Sequence, residues 1–516
     1  MRRPYRSFFL ILVGCAAGDR GAPRVVVTAS TPRPVASSPA LPRYDWIGII
    51  GTGQSLSVGA SGRPVLSTTQ PFHNLKLRDE GPIPGHPLDE GGSFSLVPLV
   101  EPIRPFWAGG DTQYPNDIFG ETPHSAMANQ ISALAGADYV TLHSVVGWGG
   151  RCMSDIDKTG TGLAYPSSLW EARTMRQMAD AQGKTFAYGA VVLTHGECDA
   201  SNPDYEAALY RMWSDYDADL RAVTGQRETV PLLLSQQNTF PSEGMASAST
   251  LAEWSAGVRF PGKIVCVGPK YQYAYAPDKV HLDAASYRRL GEKYAEVFDQ
   301  IFRQQKPWAP LQPRGVKRDG RTITVTFHVP RPPLAWDETL APPHQTAFTE
   351  WARGRGFEVA SERGPVPIAS VAIAGDAVVL TLASTPADAA LTVRYAVLQD
   401  AKTASGGEAV GRRGQLRDSD PLVGWDAETI ACNVEQGSAV VTATDPDAFA
   451  RRTLRDVAVG AGLPPDTIIV DKPGDARLML SSPWTGPSGA ASVSFHADQR
   501  NYAVAFQIPI LVRFAP

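Results

Sequence analysis

Between Tyr44 and about Phe302, strand-length apolar runs alternate with longer amphipathic segments, and this alternation restricts the fold more than any other feature of the sequence. The runs are Trp46–Ile50, Tyr139–Val146, Phe186–Leu193, Val230–Leu234 and Lys263–Val267, each bounded by Gly, Pro or polar residues. The segments between them carry helix punctuation. Thr122-Pro123 opens a helix ending at Gly136, Ser167 or Ser168 caps one closed by Gly183, Asn202-Pro203 opens one ending near Gly225, and Asp283 caps one from about Ala284 to Phe302. About five strands joined through helices predict an α/β domain with a doubly wound parallel sheet, because parallel neighbours need a crossover that a helix supplies. Sheets of this kind collect their sites at the carboxyl ends of the strands. Residues 57–120 lack periodicity and are studded with Gly and Pro, so they are expected to run over the surface as a long excursion.

After Lys306-Pro307 the period changes to two. Ile323, Val325, Phe327 and Val329 alternate with polar residues, as do Leu391, Val393, Tyr395 and Val397, and Val371–Leu382 is rich in β-formers. A β-sandwich-like module is expected over 304–424, following a catalytic domain over 44–303. Residues 425–516 read as a less legible α+β region, with a helix over Pro446–Val459 capped by Asp445 and a terminal strand pair in Tyr502–Phe514. A chain of 516 residues exceeds one ordinary core, in keeping with several domains. No internal repeat is present.

The start of the chain reads as a targeting segment. Arg2, Arg3 and Arg6 precede an apolar run, Phe8–Val13, which is far too short to span a bilayer. Leu12-Val13-Gly14-Cys15 resembles a bacterial lipobox, so residues 1–15 are expected to be a lipoprotein signal with lipid attached at Cys15, and Pro/Ser-rich 16–43 a linker. On that reading the protein is expected to be exported and lipid-anchored to a membrane of the bacterial cell envelope, the alternative being a plain secretory signal with an incidental Cys15. A net charge of -4, from 48 basic and 52 acidic residues, provides no whole-chain field to gather nucleic acid.

Four segments follow the strands or precede the last helix: Gly51-Thr52-Gly53-Gln54-Ser55, Gly147-Trp148-Gly149-Gly150-Arg151-Cys152, His195-Gly196-Glu197-Cys198-Asp199 and Asp278-Lys279-Val280-His281. A serine hydroxyl becomes a nucleophile only when a base removes its proton. A histidine does so near neutral pH if a carboxylate fixes its tautomer, and Asp278 is three residues from His281. Ser55 supplies the nucleophile, and the N–H groups of Ser55 and Gly150 are candidate oxyanion donors in Gly-rich turns.

These four segments, in this order, resemble the SGNH (GDSL-like) hydrolases, in the Gly-Gln-Ser branch that contains sialate O-acetylesterases and acetylxylan-type esterases. The matches are Gly53-Gln54-Ser55, Gly149-Gly150, Gly196-Glu197-Cys198-Asp199 and Asp278-Lys279-Val280-His281. The resemblance covers about 44–302 and implies a flavodoxin-like sheet, a Ser55–His281–Asp278 triad and an O-acetylated carbohydrate as substrate, with no metal and no cofactor. It also implies a side-chain oxyanion donor in the third block, where the family has Asn or Gln and this chain has His195. Gln54 and Trp148 are candidates to meet the substrate, Trp148 by stacking on a sugar or else by packing alone. There is no Gly-x-Ser-x-Gly elbow.

Glu197 and Asp199 are expected to hold their turn, or to pair with Arg151, rather than to act as a catalytic carboxylate pair. His73, His86 and His124 match no zinc-hydrolase spacing, and Gly160-Thr161-Gly162 lacks the Lys of a phosphate loop. No cysteine pair has CxxC spacing. Cys152 and Cys198 each lie two residues beyond a glycine, Gly150 and Gly196, in loops that leave neighbouring strands about 4.8 Å apart. A disulfide is within reach there, the alternative being two buried thiols. Two other functions stay open at this point: a lipase or thioesterase for longer acyl chains, and a glycan-binding surface lipoprotein without activity. Composition leaves the oligomeric state undetermined.

Overall fold

The computed structural model describes residues 44–79, 94–103, 120–239, 247–340, 354–388, 390–397 and 412–510. The expected leader, the linker, Cys15 and His86 lie outside the described residues. The α/β half comprises β1 (Trp46–Gly53), β2 (Leu75–Asp79), β3 (Phe94–Pro98), α1 (Pro123–Ala135), β4 (Val140–Gly147), α2 (Met153–Ile156), α3 (Ala164–Ala181), β5 (Phe186–Thr194), α4 (Tyr205–Thr224), β6 (Leu232–Gln236), α5 (Ala248–Arg259), β7 (Ile264–Pro269) and α6 (Ala284–Phe298). Its strands form one seven-stranded sheet in the order β3-β2-β4-β1-β5-β6-β7. Every neighbouring pair is parallel except β2 with β3.

β1 is the pivot. Trp46 and Ile50 point into one core with α3, α4 and α5, while Ile47 and Ile49 point into the other with α1 and α6. A strand covered on both faces must be apolar on both, which is why this one reads as a continuous run. With β4 on one side and β5 on the other, the carboxyl end of β1 is the topological switch point of the sheet.

The structure departs from the sequence reading in several places. Part of 57–120 is not excursion: β2 and β3 form an antiparallel hairpin that widens the sheet from about five strands to seven. Their period-two signal, Leu75 and Leu77 with Phe94 and Leu96, spans too few residues to stand out. α3 begins at Ala164, ahead of Ser167 and Ser168, and Ser168 Oγ donates to the Tyr165 carbonyl within the helix. α4 begins at Tyr205, two residues later than Asn202-Pro203 suggests, although Asn202 Oδ1 accepts Asp204 N–H in the turn that leads into it and its amide donates to Asp199.

Beyond α6, two four-stranded sheets share a core through Ile323, Val325, Phe327, Phe357, Val378 and Val393. One of them takes Phe506–Ile510 beside Leu391–Tyr395, so the sandwich does not end at 424 but recovers its last strand from the chain end. Only this one strand of the expected Tyr502–Phe514 pair lies in the described residues. The intervening chain builds a six-stranded sheet with its own core around Cys432, Phe449, Trp484 and Phe495. The expected helix over Pro446–Val459 is absent: Thr453 and Asp456 bond to each other through side chains and backbone, and Val457–Val459 pairs with Ser494–His496.

α6 is gripped by this β-rich region. Arg289 bonds Asp456 and Thr453, Glu292 accepts from Gln499 at 2.7 Å, and Lys293 bonds Glu296, the Gln499 carbonyl and Asn501. Trp254 of α5 packs on Phe506, and Gln236 bonds the Ala505 backbone.

On the other side of α6, α1 lays the His124 ring over Gly51, where any Cβ would strike it. His124 Nδ1 and His143 Nδ1 are 3.0 Å apart, so one donates and the other accepts. Burial pushes His124 down to about 3, and burial together with His124 holds His143 well below the usual histidine value. Because the folded values lie below an unfolded value near 6.5, the stability this neutral pair contributes is complete above about pH 6.5 and is lost as pH falls below it. Nitrogen NMR of histidine-labelled protein is expected to show both rings neutral at about pH 5; titration of either with a midpoint above that contradicts the assignment.

Candidate active site

β1 ends at Gly53, whose φ of 135° and contact with the Thr194 carbonyl, which a Cβ would overlap, require glycine. The chain turns off the sheet there, Gln54 N–H donating to Thr194 O at 3.2 Å and Trp148 N–H to Gly53 O at 2.9 Å. A 3-10 turn, Ser55–Val58, follows and leaves Ser55 half-buried above the central strand.

Asp278 and His281 stand on a tight turn between β7 and α6. Tyr275 pairs with Leu282, Ala276 N–H donates to His281 O at 2.8 Å, and Lys279 takes a φ of 59° to close the turn. Asp283 then caps α6, accepting from Ser286 N–H at 2.7 Å. His281 Nδ1 lies 2.9 Å from Asp278 Oδ2 and Nε2 lies 2.7 Å from Ser55 Oγ. An ionised carboxylate can only accept, so the proton sits on Nδ1 and the Nε2 lone pair faces the serine hydroxyl. Burial alone would raise the Asp278 carboxyl, but hydrogen bonds from Ser61, His281 and Val280 hold it well below the usual carboxylate range. It is ionised wherever the protein is folded near neutral pH.

Gly150 is exposed, with a φ of 70°. Among the described residues neither Ser55 N–H nor Gly150 N–H donates to another backbone carbonyl. Both sit at the carboxyl edge, on the loops after β1 and β4.

His195 does not serve as an oxyanion donor here. It is buried, its Nε2 meets the Arg151 carbonyl at 2.9 Å and its Nδ1 meets Tyr205 OH at 2.8 Å. A carbonyl can only accept, so Nε2–H is donated to Arg151 and Nδ1 takes the tyrosine proton, leaving no N–H for an oxyanion. Burial outweighs the nearby acids and keeps this ring's pKa below the usual value. Trp148 is only 8% exposed, with the Arg151 guanidinium 4.2 Å from its ring centroid and Gly162 packed against it, so it is a packing residue and not an open platform for a sugar. Gln54 is buried too, and its Oε1 accepts Cys198 N–H at 3.4 Å, linking the first and third segments.

The second and third segments are tied at several points. Cys152 and Cys198 form a disulfide with a Cα separation of 4.9 Å, whereas Cys266 and Cys432 are buried free thiols. Asp199 Oδ2 accepts Met153 N–H at 2.7 Å, at the start of α2. Glu197 pairs not with Arg151 but with Lys270, at 2.8 Å and with both side chains essentially inaccessible. Burial would raise the Glu197 carboxyl, yet the Lys270 ammonium brings it below its ordinary value. Burial pushes the nearby Glu253 carboxyl well above its ordinary value, against the opposing pull of the same Lys270.

Sequence reasoning missed Lys270 and Ser61. Lys270 had a usable cue, its place directly after β7. Ser61 had none; its Oγ donates to Asp278 Oδ2 at 2.6 Å across 217 positions of sequence. Among the described residues no group of three His, Cys, Asp or Glu side chains could hold a metal ion.

No protein-family model matches the chain, and no curated protein matches it. Among solved structures it is similar to the carbohydrate acetylesterase XAC1771 from Xanthomonas citri, with 15% identity and a TM-score of 0.43 over 71% of this chain and 77% of that one. It is also similar to a protein from Arabidopsis thaliana, with 16% identity and a TM-score of 0.36 over 50% of this chain and 100% of that one. For NanS the identity is 12% and the TM-score 0.36, over 51% and 100%. These are partial overlaps, and the chemistry of the site rests on its own geometry.

Removing one partner of a buried ion pair leaves an uncompensated charge. Lys270→Met is therefore expected to cost about 3–5 kcal/mol of stability, with most of it recovered in the Glu197→Gln/Lys270→Met double variant. Denaturant unfolding of the three proteins checks this, and a double variant no more stable than the single contradicts the pairing.

Proposed function

We propose that this chain is a serine esterase of the SGNH type that removes acyl groups, first among them O-acetyl groups on carbohydrate, through a covalent acyl-enzyme. The observation that carries this reading is the continuous hydrogen-bonded line from Ser55 Oγ through His281 to Asp278. His281 Nε2 takes the Ser55 proton as Oγ bonds to the ester carbonyl carbon. The negative charge that develops on the carbonyl oxygen falls to backbone donors, Ser55 N–H and Gly150 N–H. Asp278 stabilises the imidazolium without taking its proton. Collapse of the tetrahedral intermediate breaks the bond to the alcohol, which leaves with the proton from Nε2. Water then repeats the sequence on the acyl-enzyme and releases the acid. The choice of acetyl and of carbohydrate follows from the motif resemblance, and the wider chemistry of the fold would admit other esters.

We further propose export and attachment to the bacterial envelope through lipid on Cys15, on the strength of the Arg-rich start, the short apolar run and the lipobox.

Ser55→Ala is expected to lower kcat by on the order of 10⁴–10⁶ with the fold intact, and wild-type activity is expected to survive EDTA because no step calls on a metal. A screen of short- and long-chain nitrophenyl esters and acetylated glycans reads both. Near-normal turnover by the variant, or loss to chelator restored by zinc, sinks the mechanism, while preference for long chains replaces the acetyl assignment. For the anchor, Cys15→Ser should abolish palmitate incorporation and membrane association; wild-type protein found cleaved, soluble and free of lipid contradicts it.

A further inference from the structure

Ser61 lies six residues beyond Ser55 and has a φ of 62°, in the left-handed region where a side chain is strained and glycine is the unstrained occupant. Its neighbours pin it there. Ala60 N–H donates to Ser55 O at 3.1 Å, Gly62 N–H to Gly59 O at 3.0 Å, and Glu121 N–H to Gly62 O at 2.7 Å. Tyr287 OH of α6 donates to Ala60 O at 2.9 Å. A Cβ at Gly59 would run into the Glu121 carbonyl, so the segment has no room to relax outward. The strained serine has one evident use: its Oγ donates to Asp278 Oδ2, the same oxygen that accepts His281 Nδ1–H. The other carboxylate oxygen is held at 2.9 Å by Val280 N–H and by His281 N–H, both from Asp278's own turn.

We infer that Ser61 is a positioning residue that aims the Asp278 carboxylate at His281, so that the nucleophile's own loop holds both ends of the proton relay. This rests on the proposed serine mechanism. Ser55 contacts Nε2 of the ring and Ser61 contacts the acid behind it, which closes a loop of contacts from Ser55 through His281, Asp278 and Ser61 back along the backbone. Without the Ser61 bond, the Asp278 carboxylate is held only from its own turn, through Oδ1, and by the imidazole it is meant to orient, with nothing tying it to the nucleophile's loop. The turn bearing the acid and the turn bearing the nucleophile could then shift against each other, and small displacements at a reacting centre are costly in rate.

The strain makes the test discriminating. Ser61→Gly removes the hydroxyl and relieves the backbone, so a purely structural role predicts a variant as good as wild type or better. Positioning predicts a melting temperature equal to or above that of wild type, kcat lower by roughly tenfold and KM within about twofold of wild type. The rate of Ser55 labelling by a serine-directed phosphonate should fall in parallel, since it reads the relay without any ester. Ser61→Ala, which keeps the strain and loses the bond, should show the same loss of kcat without the gain in stability. Turnover and labelling of Ser61→Gly within twofold of wild type overturn the inference, as does a defect confined to KM. If wild type is labelled at Ser55 yet hydrolyses no acyl ester, the proposed substrate class fails, and the labelling rates of the two Ser61 variants still decide the role of Ser61.

Discussion

The central strand is closed on both faces and both edges, and only its carboxyl end is open. β1 buries alternate side chains in two separate cores and shares its hydrogen bonds with β4 and β5, so any group placed just after Gly53 sits at a rigid point between two crossover loops. The Ser55 turn, the Gly149-Gly150 turn and the His195–Asp199 loop all emerge there, from β1, β4 and β5. A sheet that binds these strands into fixed register therefore sets the relative positions of residues more than 200 apart in sequence, and the side chains need only local adjustment.

Keeping those loops in place is the work of buried polar groups that lie outside the proposed relay. His195 spends both ring nitrogens joining the third segment to Arg151 and Tyr205, Asp199 reaches the start of α2, and the Glu197–Lys270 pair ties the same loop to the end of β7. The cystine Cys152–Cys198 adds a covalent link in the same direction. On the far side, α6 begins three residues after His281 and is clamped by the β-rich region through Arg289, Glu292 and Lys293. These contacts make bracing a sufficient physical account of why that region packs where it does.

What the sequence disclosed follows from how local the signals are. Alternating apolar runs and caps such as Thr122 and Asp283 are read within a few residues, so the parallel ladder, the strand ends and the four segments at them were legible. The short hairpin of β2 and β3 and the return of Phe506–Ile510 to the sandwich were not, because their partners are set by tertiary pairing. The same holds in the site. Ser55, Asp278 and His281 could be named from order and residue type, whereas the role of His195 depended on which carbonyl its ring met, and Trp148 on what covered it. Ser61 has no sequence signature at all; its bond to Asp278 exists only once the two turns have been brought together.

The account requires that Ser55 Oγ carry the acyl group in mid-reaction. Rapid acid quenching of the protein during turnover of nitrophenyl acetate, followed by peptide mapping by mass spectrometry, tests this most directly. The account predicts an acetyl adduct on the peptide containing Ser55, formed no faster than the burst of nitrophenol and absent when the enzyme is quenched before substrate is added. Steady turnover with no acylated Ser55 peptide at any quench time, or an adduct on a different residue that forms and decays at the turnover rate, would contradict it.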